Sequence, residues 1–147
     1  MLQDRDLGYI LHRAAMTVKC NFTNKLNEIG ITPSQFRVLK EIYSHQVKST
    51  DAGLAPGCIA ERLEFDRPTV SGILERLESQ GWVERQRNSS DRRSCLMCVT
   101  EKSIENLNEL EEILSVNNSK ILKGFTEDEI LAFKSYLLRV IDNFKEP

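Results

Sequence analysis

Between Cys58 and Val99 the chain places two short amphipathic segments around a tight connection, then two β-prone runs that carry arginine. The first segment, from about Cys58 to Glu64, reads as a helix that turns Ile59, Ala60 and Leu63 inward. Phe65 and Asp66 form the connection. Pro68 falls in the first turn of the next helix, where its missing N–H costs nothing. That helix carries Val70, Ile73, Leu74 and Leu77 on one face and ends near Gly81. Trp82–Arg87 and Cys95–Val99 read as strands, with polar Asn88–Ser94 as the hairpin loop between them.

This order narrows the choice of fold. Two helices crossing closely need a small residue at the crossing and an apolar lock about ten positions later. Ala60 and Val70 supply them. A helix-turn-helix followed by a β-hairpin is a winged helix-turn-helix. With its apolar face buried, the second helix presents Arg67, Thr69, Ser71, Gly72, Glu75 and Arg76. That small, polar face suits a major groove about 12 Å wide.

Alternation along the first strand puts Val83, Arg85 and Arg87 on one face, and the hairpin loop carries Asp91, Arg92 and Arg93. Arginines near the tip can meet phosphates or enter a minor groove, where the potential is most negative. Asp91 is expected to hold a neighbouring guanidinium in a fixed rotamer. Any one of these features occurs on ordinary solvated surfaces, but their order and spacing together point to double-stranded DNA.

The formal net charge of −2 looks wrong for such a partner. It is unevenly distributed. Residues 67 to 93 hold six arginines against four acids, whereas residues 101 to 131 hold eight acids against three lysines. Phosphate binding follows the local cluster rather than the whole-chain sum.

The flanking segments are helical. Leu7, Ile10, Leu11, Ala14, Val18, Phe22, Leu26 and Ile29 form one stripe that stops at Gly30. Thr32, Pro33 and Gln35 make a capping box for a helix that buries Phe36, Leu39, Ile42 and Tyr43. Gln46 to Gly57, with Ser49, Thr50, Asp51, Gly53 and Pro56, reads as a loop. Thr100 opens a further helix carrying Ile104, Leu107, Leu110, Leu114 and Ile121, which runs to about Lys123 before Gly124. Thr126 and Glu129 box the start of a last helix with Ile130, Phe133, Leu137, Leu138, Ile141 and Phe144.

The expected architecture is mainly α with a small β wing. It has an N-terminal dimerisation helix (1–30), a winged helix-turn-helix domain (31–100) and C-terminal helices completing the dimerisation region (101–147). The outer helices carry more apolar surface than a core of that size can cover, so a homodimer is expected. Two copies would set their recognition helices about 34 Å apart, matching a palindromic promoter site.

At this level of detail the chain resembles the MarR family of transcriptional regulators over nearly its whole length. The resemblance is carried by residues 31–36 (ITPSQF), 59–63 (IAERL), 69–71 (TVS) and 74–78 (LERLE), and by Gly81-Trp82-Val83-Glu84-Arg85, Asp91-Arg92-Arg93 and Val99-Thr100-Glu101-Lys102. It implies a triangular homodimer whose first and last helices interlock. Asp91 would orient Arg93, Arg93 would enter the minor groove, and Thr69 and Ser71 would read the major groove. It also implies a repressor released by a small aromatic or carboxylate effector, with His12 and Arg13 as candidate cleft residues. The chain departs from the family pattern at Ser103, where glycine is common, and in a longer 46–57 segment.

Other chemistry has less support. Cys95 and Cys98 form a CxxC on a strand, where residues three apart face opposite ways and chelate poorly. No metal or other cofactor is expected. Cys20, beside Lys19 and two turns from Arg13, is a candidate for redox sensing on the same scaffold, against its plain reading as a small buried residue. No phosphate-cradling glycine loop, His-Glu-x-x-His or nucleophile elbow is present, so no enzyme is expected. A winged helix serving only protein contacts is a further alternative, but it would not need arginines at 85, 87, 92 and 93. No apolar run of about 18 residues or secretion signal is read, so no membrane partner and a cytoplasmic location are expected.

Overall fold

The computed structural model describes residues 1–49 and 53–145. After a short 3-10 turn at Leu2–Asp4, α1 spans Leu7–Ile29. The Asp6 carboxylate accepts the Tyr9 N–H at 2.9 Å to cap its start. Gly30 closes it at φ 82°, a conformation that costs glycine little. α2, Pro33–Lys48, begins with the expected box: Gln35 N–H donates to Thr32 Oγ1 and Thr32 N–H donates to Gln35 Oε1.

α3 (Pro56–Leu63) and α4 (Arg67–Ser79) form the helix-turn-helix. Glu64 takes the left-handed φ of 54°, which lets the Phe65 N–H reach the Ala60 carbonyl at 2.9 Å. β1 (Val83–Arg87) and β2 (Cys95–Val99) pair antiparallel from Val83↔Val99 to Arg87↔Cys95. α5 spans Glu101–Ile121 and α6 spans Glu127–Asp142, the latter under the Thr126/Glu129 box.

The expected 46–57 loop is shorter in the structure. No residue of Gln46-Val47-Lys48 breaks a helix, so α2 runs on to Lys48, and α3 starts at Pro56. Leu54 adds a two-hydrogen-bond bridge to Met97, each N–H reaching the other's carbonyl at 2.9 Å. Gly53 permits this approach, because a Cβ there would lie 2.6 Å from the Met97 carbonyl oxygen. Thr50 and Asp51 lie outside the described residues.

The core joins the central elements. Leu26 of α1, Val38, Leu39 and Ile42 of α2, Ile59 of α3, Val70, Leu74 and Leu77 of α4, Trp82, Met97 and Leu110 are all buried. Burying one such side chain contributes about 1.5–3 kcal/mol, so this cluster holds the lobe together. Gln46 ties the wing to α2 by accepting the Val99 N–H at 2.7 Å. Ser103, where glycine is the commoner residue in the resemblance, is buried and donates its hydroxyl to the Trp82 carbonyl. α5 therefore starts where the sequence places it, and Ser103 adds a bond that glycine could not make.

The outer helices differ from the inner ones. α1 buries only Leu26 and α6 buries none of its side chains. Tyr43, expected in the core, is only half-buried. Among the described residues, no helix is long and apolar enough to cross a membrane.

Candidate nucleic-acid interface

The Asp66 carboxylate caps α4 by accepting the Thr69 N–H at 2.8 Å through Oδ1. Its other oxygen accepts the Thr69 hydroxyl at 2.6 Å. These two bonds, the hydroxyl's first, hold the Asp66 carboxyl below its ordinary value of 3.8. From this fixed start, the helical period buries Val70, Ile73, Leu74 and Leu77. Arg67, Thr69, Ser71, Glu75 and Arg76 are left exposed, with Gly72 half-buried among them. A Cβ added at Gly72 would meet nothing within 4 Å. The face is shallow at its middle and basic at both ends.

In the wing, Arg87, Arg92 and Arg93 are exposed. Among the described residues, neither they nor Arg67 and Arg76 form an ion pair. Arginines unpaired within the protein keep their full charge and all five donors for an outside anion.

Arg85 differs. Its Nε donates to Glu78 Oε2 at 2.8 Å and its Nη1 lies 3.6 Å from the Cys95 sulfur. The Glu78 bond, more than any other contact, pushes the Arg85 guanidinium up from its ordinary value. Arg85 thus fastens β1 to α4, setting the wing against the helix that precedes it.

The expected role of Asp91 requires a correction. No ion pair joins Asp91 to a guanidinium among the described residues. Asp91 Oδ1 accepts the Arg93 backbone N–H at 2.9 Å, and its carbonyl accepts the Ser94 N–H at 3.1 Å. Asn88 repeats the pattern with the Ser90 N–H at 3.0 Å. Short Asx side chains close turns through the backbone two residues on more readily than they reach a long guanidinium. The tip is shaped by its main chain, and the Arg93 side chain is left unpaired.

Residues 31–95 match the MarR family model, described as "MarR family". Over that segment the chain is similar to the MarR family. Its fold is shared with solved members. A cysteine mutant of MarR from E. coli, complexed with operator DNA, is 26% identical, with 91% of this chain and 92% of that one covered at a TM-score of 0.79. The CouR transcriptional repressor bound to a 23-mer DNA duplex is 28% identical, with 92% of each chain covered and a TM-score of 0.79. The S. aureus MepR–DNA complex is 23% identical, with 96% of this chain and 100% of that one covered, and shares the fold at a TM-score of 0.85.

Outside the winged lobe, the chain has a cleft of about 680 Å³ between α1, the end of α5 and the start of α6. Ile10, Arg13, Asn117, Lys120, Phe125 and Phe133 contribute to its walls. Of the two cleft residues expected from the sequence, Arg13 lines it and His12 does not. Consecutive helical residues point about 100° apart, which turns His12 to solvent.

The plain reading of Cys20 as a buried residue is also corrected, because it is exposed on α1. Cys58 is exposed, Cys95 half-buried and Cys98 buried, and burial pushes the Cys98 thiol up from its ordinary value. Among the described residues, no cluster of His, Cys, Asp and Glu is placed to hold a metal ion. Sequence reading missed Asp66, although an aspartate three positions before a threonine, with proline between them, is a helix-start signal. It also missed Glu78 as the partner of Arg85, a contact between elements that no local spacing encodes.

Proposed function

We propose that this protein is a MarR-family DNA-binding transcriptional regulator that binds a palindromic promoter site as a homodimer and acts as a repressor released by a small effector. The observation that carries the reading is the exposed face of α4: small and polar, with Arg67 and Arg76 at its ends and Arg87, Arg92 and Arg93 in the wing that follows, none of them in an ion pair among the described residues. In this reading Ser71, Gly72 and Thr69 face base edges, Arg67 and Arg76 meet flanking phosphates, and Arg92 and Arg93 enter a minor groove. Arg87 supports the wing from the phosphate side, while Arg85 and Asp91 position the wing rather than touch DNA. The related E. coli MarR and CouR structures, both in complex with DNA, support the same partner.

Support for the homodimer comes from the outer helices. Leu131, Tyr136, Leu138, Ile141 and Phe144 of the C-terminal segment are more than half exposed, as is Leu7 of α1. An apolar surface of this extent is normally covered by a partner. In this reading the effector binds in the α1–α5–α6 cleft. Its cations Arg13 and Lys120 form no ion pair among the described residues, and Phe125 stacks on Phe133 at 5.8 Å. That lining suits an aromatic carboxylate. Regulation without an enzymatic step, in the cytoplasm, completes the reading.

Selection of bound duplexes from a random pool by the purified protein tests it. The expected product is an inverted repeat with half-sites about one helical turn apart, bound with an affinity that falls steeply with salt. A pool with no enriched sequence, or binding indifferent to salt, overturns the proposal.

A further inference from the structure

We infer that Thr69 reads its base as a hydrogen-bond acceptor only, selecting an amino-bearing base (adenine or cytosine), and that Asp66 is the positioning residue that imposes this polarity. The inference rests on α4 being the recognition helix. Its new element is the direction of one proton.

An ionised carboxylate has lone pairs and no proton to give. At 2.6 Å from Asp66 Oδ2, the Thr69 hydroxyl must therefore be the donor of that bond. The second carboxylate oxygen is held by the Thr69 N–H at 2.8 Å, so the carboxylate cannot swing away without uncapping α4. Thr69 is the third residue of α4 and is exposed. Such positions near the N-terminus of a recognition helix contact base edges.

With its proton committed, Thr69 offers the groove oxygen lone pairs and a methyl group. It cannot donate to a phosphate, to guanine O6 or to thymine O4. In the major groove, the groups that match a lone pair are adenine N6 and cytosine N4, and a keto oxygen in the same place sets acceptor against acceptor.

Asp66→Asn reverses the polarity without removing the cap. Asparagine caps a helix as well as aspartate does. To keep accepting the Thr69 N–H, its carbonyl oxygen must occupy the place of Oδ1, which puts its NH₂ beside the Thr69 hydroxyl. The amide then donates, and the hydroxyl proton is released toward the groove. Thr69→Val keeps the shape and removes the hydroxyl altogether.

The test is duplex selection from a random pool with full-length wild type, D66N and T69V, followed by titration of the selected site with each base at each position. Wild type should prefer adenine or cytosine at one position of each half-site by about tenfold. T69V should lose that preference without acquiring another. D66N should shift it toward guanine or thymine at that position alone, with an unchanged melting temperature. An amino-base preference retained in D66N, with affinity lowered evenly across all sequences, overturns the inference and leaves Asp66 a cap only. Wild-type selection with no amino-versus-keto choice at any position also overturns it. Absence of any selective binding by wild type would instead bring down the DNA-binding reading itself.

Discussion

Replacing Gly72 with alanine should stabilise the free protein and weaken its hold on DNA. Gly72 lies in the interior of the thirteen-residue helix α4, and an added Cβ meets nothing within 4 Å. No packing or backbone demand in the free protein explains a glycine there, since its φ is not among the positive ones. Glycine costs a helix interior about 0.8–1.0 kcal/mol relative to alanine. G72A should recover that amount, raising Tm by about 2–4 °C for a chain of this size. The same methyl group would stand on the face proposed to enter the groove. If it forces that surface apart as overpacking does in cores, it costs about 1–3 kcal/mol. Operator affinity should then fall about five- to 150-fold for each half-site engaged. Thermal melting at matched protein concentration and anisotropy titration at fixed salt measure the two effects. A lower Tm would refute the open-space reading. A raised Tm with undiminished affinity would refute close approach at this residue.

Two other substitutions probe the rest of the molecule. Gly53→Ala forces a Cβ to within 2.6 Å of the Met97 carbonyl oxygen and should cost about 1–3 kcal/mol through loss of the Leu54–Met97 bridge, read as a lower denaturation midpoint; an unchanged midpoint would mean that the bridge contributes nothing. Leu138→Glu alters a side chain that is 60% exposed in the single chain, so it should fold normally yet elute with light-scattering mass near 16.9 kDa, where wild type gives twice that; a dimeric variant would exclude α6 from the interface.

The elements whose signals are local were legible in the sequence. The Thr32 and Thr126 capping boxes, Gly30 and the 83–99 hairpin stand within a residue or two of their expected places, because each depends on neighbours a few positions away. The buried face of α4 was legible for the same reason. What escaped depends on contacts between elements. Arg85 looks like its neighbour Arg87 until Glu78 of α4 is found 2.8 Å from it. His12 and Arg13 look equivalent until the cleft on one side of α1 separates them. Asp91 stands among arginines that invite a guanidinium partner, yet the nearer Arg93 backbone N–H satisfies it. The 46–57 segment carries loop residues, yet Gly53 and Leu54 are buried in it because β2 offers them a partner.

Hydroxyl-radical footprinting of the selected site with wild type and the double variant Arg92→Ala/Arg93→Ala tests the central claim most directly. Wild type should protect one face of the duplex in patches repeating about every helical turn. The outermost patches should vanish in the double variant while the inner ones persist. Outer patches unaffected by loss of both arginines, or protection with no helical repeat, would contradict the joint use of α4 and the wing.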